Sequence, residues 1–284
     1  MSDNKAQTTD RKLALIAPFA IGLAAIGVVV VLLLRPDGPG PAPVPDRPQA
    51  QPAPASAPAI AAPADPISRA ELIEAAQAAA SAYAADAPSS AASLLGRKFA
   101  LRLAFGCAGP AVDPGPQQAY YQLDPVAKSV RLVARPAVWT DLPLVRAGGP
   151  ETAAEVVEGF WIPRPWSRGE GCPHRRAVDP PAAPTPVEAP SLGVAMFHDA
   201  DGSRAQRRGD RPYEYVLKLP ELGDAQSMSF TLLLEGRITG FADRTPVRCW
   251  SESADHRPVC LYAVELDRVA FEDARGGVLA QWPT

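Results

Sequence analysis

Lys98-Phe99-Ala100-Leu101-Arg102-Leu103-Ala104-Phe105 sets the fold class. Large apolar side chains fall on every second residue with no glycine or proline between them, the period of a strand whose side chains face alternate sides. From about Leu94 onward the same grammar of short apolar or alternating runs repeats. Candidate strands lie at 119–123, Ser129–Ala134, 155–162, 192–197, 213–219, 227–235, 237–241, 259–266 and 278–282. Leu123-Asp124-Pro125 and Asp199-Ala200-Asp201-Gly202 carry turn chemistry between such runs. Many short strands with little helical periodicity predict a mainly β fold, an all-β sandwich- or barrel-like domain over 91–284. The proline run at 180–186 is a natural seam, so two lobes, 91–179 and 191–284, are the alternative to one domain.

Upstream, Ser68-Arg69-Ala70-Glu71 reads as a capping box opening a helix over 67–87, with Pro88 as its stop. Leu72, Ile73, Ala76, Ala80 and Tyr83 give it a narrow apolar stripe. The pattern leaves open whether this helix docks on the domain or stands as a stalk.

Further upstream, 35–66 is rich in proline and alanine, with 11 prolines between Pro36 and Pro66. Such composition cannot bury enough apolar surface to offset its ordering entropy, so it reads as an extended, disordered linker. Before it lie 22 residues, 13–34, without a formal charge. As a helix these would span roughly 33 Å, enough for a bilayer core of about 30 Å. An uncleaved signal anchor is expected, since the run is longer than a cleaved signal's apolar region and Leu34-Arg35-Pro36 is a poor cleavage site. The cationic residues Lys5, Arg11 and Lys12 lean toward a cytoplasmic tail at 1–12 and a periplasmic C-terminal domain, at a bacterial inner membrane.

Cys107, Cys172, Cys249 and Cys260 all follow that run and form no Cys-x-x-Cys. In an oxidising compartment they read as two disulfides. Cys249–Cys260 would close a short loop between adjacent strands, which leaves Cys107–Cys172. A zinc site built from Cys172 and His174, or from Cys249, His256 and Cys260, lacks the common paired spacing. No metal or other cofactor is expected.

The segment 88–284 carries 22 Lys+Arg against 23 Asp+Glu, so it shows no basic footprint for nucleic acid. Arg204, Arg207, Arg208 and Arg211 cluster near Gly202 and Gly209, as in a solvated hairpin loop. There is no Gly-x-Ser-x-Gly elbow, no His-Glu-x-x-His and no phosphate-cradling glycine loop. His198-Asp199-Ala200-Asp201 reads as a turn rather than a metal pair. The expected function is therefore non-enzymatic.

Phe160-Trp161-Ile162-Pro163-Arg164-Pro165-Trp166 is chemically distinctive. Its prolines cannot donate to a ladder, which places it at a strand end or sheet edge. Phe160, Trp161, Arg164 and Trp166 are the candidate partner-binding residues, because Trp and Arg are enriched where interfaces gain their energy. The competing role is to plug the core beside Cys172.

The whole suggests a single-span, membrane-anchored binding or scaffold protein whose partner is an envelope protein or the cell wall. In layout it resembles TonB-type energy transducers, which implies a coupling role as the alternative. That resemblance is architectural only and carries no residue across, because the regular Pro-Glu and Pro-Lys repeats are missing. A cell-wall or glycan enzyme is the third reading.

Overall fold

The computed structural model describes residues 65–146, 154–174, 189–199, 207–209, 211–221, 223 and 225–284. The expected membrane helix at 13–34, the linker up to residue 64 and the seam at 180–186 lie outside these residues. Among the described residues no helix is long and apolar enough to cross a membrane.

Helix α1 (Arg69–Ala84) precedes strands β1 (Lys98–Phe105), β2 (Ala119–Asp124), β3 (Ser129–Ala134) and β4 (Ala137–Val138). A single helical turn, α2 (Pro143–Arg146), leads to β5 (Ala154–Trp161), β6 (Leu192–Asp199) and β7 (Tyr213–Lys218). Strands β8 (Phe230–Ile238), β9 (Val247–Trp250), β10 (Val259–Glu272) and β11 (Val278–Pro283) complete the domain. The fold is mainly β, with two sheets and few helices. The larger sheet runs β1-β8-β10-β6-β5-β4, with β9 and β11 also paired to β10; the smaller runs β2-β3-β7.

Strand β10 is the spine. Its first half pairs with β9 and, in parallel, with β6, while its second half pairs with β8 and β11. Cys260, Tyr262 and Val264 face the main core, and Leu261 and Ala263 face a second cluster with Trp139, Val157 and Phe241. A strand buried on both faces needs apolar residues in succession, which is why its sequence runs Cys-Leu-Tyr-Ala-Val. The main core lies between the two sheets, where Phe99, Leu101, Leu232 and Tyr262 of the larger share one cluster with Tyr121 and Leu132 of the smaller.

The division into lobes 91–179 and 191–284 does not match how strands are shared. In the larger sheet β1 and β5 come from before the seam and β6, β8 and β10 from after it; the smaller sheet joins β2 and β3 to β7. Each sheet draws strands from both halves.

Two expected strands, 227–235 and 237–241, are one. Gly236 does not break β8 but lets it approach β10, since a Cβ there would sit 2.1 Å from the Glu265 carbonyl oxygen. The register shifts opposite it, between Leu266 and Arg268, which hides the continuation of β10 behind a polar Asp267-Arg268 pair.

Helix α1 is shorter than 67–87. Ser68 and Glu71 form the expected capping box. The other end closes before Pro88: Asp86 adopts φ 50, Ala87 N–H donates to Ala82 O and Asp86 N–H to Tyr83 O. That is a Schellman closure. The helix docks on the sheet rather than standing free, with Leu72, Ile73, Ala76 and Ala79 buried and the Tyr262 hydroxyl donating to Leu72 O at 2.7 Å. Tyr83, expected on the apolar stripe, is exposed instead.

Candidate functional site

The aromatic segment begins as the end of β5. Phe160 is 1 % exposed and points into the main core, 6.4 Å from the Tyr213 ring. Trp161 points to the other face and packs on Trp139, centroid to centroid 4.3 Å. Both indoles lie over glycines: a Cβ on Gly193 would come within 2.8 Å of Trp139 and 3.0 Å of Trp161. The backbone N–H of Trp161 donates to Gln118 Oε1 at 2.6 Å, and Gln118 Nε2 donates to Gly159 O. This strand end is thereby closed by a side chain instead of another strand.

Beyond Ile162 the chain turns. Arg164 takes φ 53, and Ser167 N–H donates to Arg164 O at 2.9 Å. Arg69, at the start of α1, reaches this turn from beneath. Its guanidinium donates to Pro163 O at 2.6 Å, Arg164 O at 3.2 Å, Ser167 O at 3.2 Å and, more weakly, to Arg102 O on β1 at 3.4 Å. Arg164 Nη2 donates to Ala104 O. Upstream, Ile67 N–H donates to Lys98 O and Ile67 O accepts from Ala100 N–H. The outer edge of β1 is therefore occupied from Lys98 to Ala104 and is no template for a further strand.

Burial, first, and the neighbouring Arg164 charge hold the Arg69 guanidinium below its ordinary value, to about 10, against the opposing pull of Glu170. At neutral pH it stays charged, satisfied by carbonyl dipoles. Burial lowers Arg164 as well. Further contacts fix the rest of the turn: Arg168 to Glu74 at 3.5 Å, Arg102 to Glu170 at 3.8 Å and Glu272 at 3.0 Å, and the Cys107–Cys172 disulfide.

The four candidate residues thus separate. Phe160 is core, Trp161 is half-buried against Trp139, and Arg164 turns inward to a carbonyl. Trp166 alone projects, 57 % exposed. Trp166 is thus an exposed indole on a turn held by these contacts.

A second buried charge lies on β5. Glu158 is 1 % exposed and accepts from the backbone N–H groups of Gly209 at 2.7 Å and Arg208 at 3.0 Å. His198 Nε2 lies 3.7 Å from Glu158 Oε2. Burial pushes His198 down, Glu158 pulls it up and Arg207 pushes it down again. Arg208 covers the Tyr213 ring at 4.2 Å, and Arg207 bridges Glu155 and Asp199 O. Three of the four clustered arginines are thus engaged in structure or exposed beside it, and Arg204 lies outside the described residues.

The cysteines pair as Cys107–Cys172 and Cys249–Cys260. Cys249 stands directly opposite Cys260 across β9 and β10. Among the described residues no group of three or more His, Cys, Asp or Glu could hold a metal ion. Ser253 Oγ and His256 Nδ1 are 2.7 Å apart, but both are exposed and three residues apart in one turn.

Arg69 and Glu158 were overlooked in sequence. The signal was there: Arg69 shares the helical face of Leu72, Ile73 and Ala76, and Glu158 shares the inward face of Phe160. Comparison with protein-family models, curated proteins and solved structures gives no match.

Proposed function

We propose that this chain is a non-enzymatic binding or scaffold protein, anchored in the inner membrane of a bacterial envelope through 13–34, whose β domain engages an envelope protein through the turn that carries Trp166. The observation that carries this reading is Trp166 itself: 57 % exposed, yet on a turn fixed by the buried Arg69 and closed by Cys107–Cys172. A large aromatic side chain carried on a fixed turn loses little backbone freedom on binding, which favours affinity. Two disulfides fit an oxidising compartment, as a periplasmic domain requires.

The test is cross-linking and capture with the full chain in its native envelope. Trp166→Ala should lower capture of a protein partner roughly tenfold or more while the thermal midpoint stays near that of the unaltered chain. Unchanged capture would overturn the reading, as would recovery of cell-wall glycan alone. Resistance of the full-length chain to carbonate extraction tests the anchor separately.

A further inference from the structure

We infer that Cys107–Cys172 is a thiol–disulfide exchange site, and that its opening frees the far end of the Trp166 turn while Cys249–Cys260 stays closed. This stands whether or not Trp166 binds a partner.

The two disulfides occupy contrasting surroundings. Cys249 and Cys260 are 9 % and 3 % exposed and belong to the main apolar cluster, with α1 packed against the same strands. Cys107 and Cys172 are both half-buried and line an open hollow of about 310 Å³ together with Gly106, Gly109, Gln226 and Ser229. The chain bends there through Gly106 and Gly109, with φ 73 and φ 98. The residues that line the hollow carry no formal charge. Cys172 sits between the exposed Gly171 and Pro173, which leaves its side of the bond the one approached along open chain.

Exchange depends on the access of a thiolate to one sulfur. The co-reactant is a dithiol of the Cys-x-x-Cys oxidoreductase class. One of its thiolates attacks Cys172 Sγ; the Cys172–Cys107 bond breaks as the mixed disulfide forms, and Cys107 leaves as a thiolate and takes up a proton. The second thiol, deprotonated, then attacks the mixed disulfide. Cys172 leaves and is protonated, and the dithiol departs as its own disulfide. Two electrons and two protons pass to the protein. After that, the contacts on 168–172 that remain among the described residues are the Arg168–Glu74 and Arg102–Glu170 pairs, both between partly exposed side chains.

The experiment treats the folded full chain with graded dithiothreitol as the dithiol, alkylates the freed thiols and maps them. Cys107 and Cys172 should be modified about tenfold faster than Cys249 and Cys260, reflecting access alone, with the far-ultraviolet spectrum unchanged. Amide exchange should rise at 166–174 and stay constant in α1. Equal rates for both pairs, faster opening of Cys249–Cys260, or modification only when the β signal is lost would each overturn the exchange site. Unchanged exchange at 166–174 after selective opening would overturn the release. Cys107→Ser with Cys172→Ser should show the same raised exchange without any reductant. If that variant fails to fold, selective reduction of the unaltered chain decides the matter.

Discussion

Arg69 and Glu158 are charges of opposite sign, each almost fully buried, and each held by main chain rather than by a close ion pair. They differ in reach. The Arg69 guanidinium, with five donors in one plane, gathers carbonyls from two segments, the 163–167 turn and β1. The Glu158 carboxylate accepts from two successive N–H groups of one loop. One residue therefore fastens a helix, a strand and a turn together; the other fastens a single loop to a strand. Burial of an unpaired charge is costly, so both persist only because the backbone supplies the missing hydrogen bonds.

The largest expected effect follows from that difference. Arg69→Met keeps the aliphatic stem but orphans several carbonyls, and should cost about 3–4 kcal/mol in urea denaturation, with faster amide exchange at 163–168. A loss below about 1 kcal/mol would mean that water replaces the guanidinium and that the turn has other supports. Glu158→Gln retains one accepting oxygen but turns an amide N–H₂ toward a backbone donor, and should cost less, about 1–3 kcal/mol. If Glu158→Gln proved the more damaging of the two, the comparison would be broken.

A smaller effect is expected from pH. Burial lowers His198 in the folded state, so below its ordinary value of 6.5 the unfolded chain binds more protons than the folded one. Stability should be unaffected by this group above that pH and should fall as the pH drops through it, levelling once the folded form is protonated too. Glu158, Asp199 and Arg207 all act on the ring. His198→Gln should flatten the acid limb of a stability–pH curve just below 6.5, and an unchanged slope would place the titrating group elsewhere. The smallest change in stability is assigned to Trp166→Ala, within about 0.5 kcal/mol, as for exposed positions generally. Trp161→Ala, by contrast, should cost about 2–3 kcal/mol by uncovering Trp139. Calorimetric melts of the two variants side by side test the split between them, and a large drop for Trp166→Ala would show the turn to be part of the core.

Several elements were legible in local sequence. β1 spans Lys98–Phe105 and β3 spans Ser129–Ala134, as their alternation dictates, and Ser68 caps α1. Two-residue β4 and four-residue β9 were missed, because a strand that short carries no readable period. In the candidate site, the aromatic cluster was legible but its division was not. Phe160 and Trp161 are neighbours on one strand and so must face opposite ways, yet which of Trp161 and Trp166 meets solvent depends on Trp139, which lies 22 residues upstream of Trp161.

The sequence by itself determined the mainly β class, the capped helix before it and the even set of cysteines, since alternation, capping and cysteine count are properties of neighbours along a chain. Tertiary structure alone decided that β6 and β10 run parallel, that strands from both sides of the proline seam share each sheet, and that a cation and a carboxylate belong inside. Those outcomes depend on which distant carbonyls and N–H groups come within 3 Å or so of a side chain, and no local pattern records such distances.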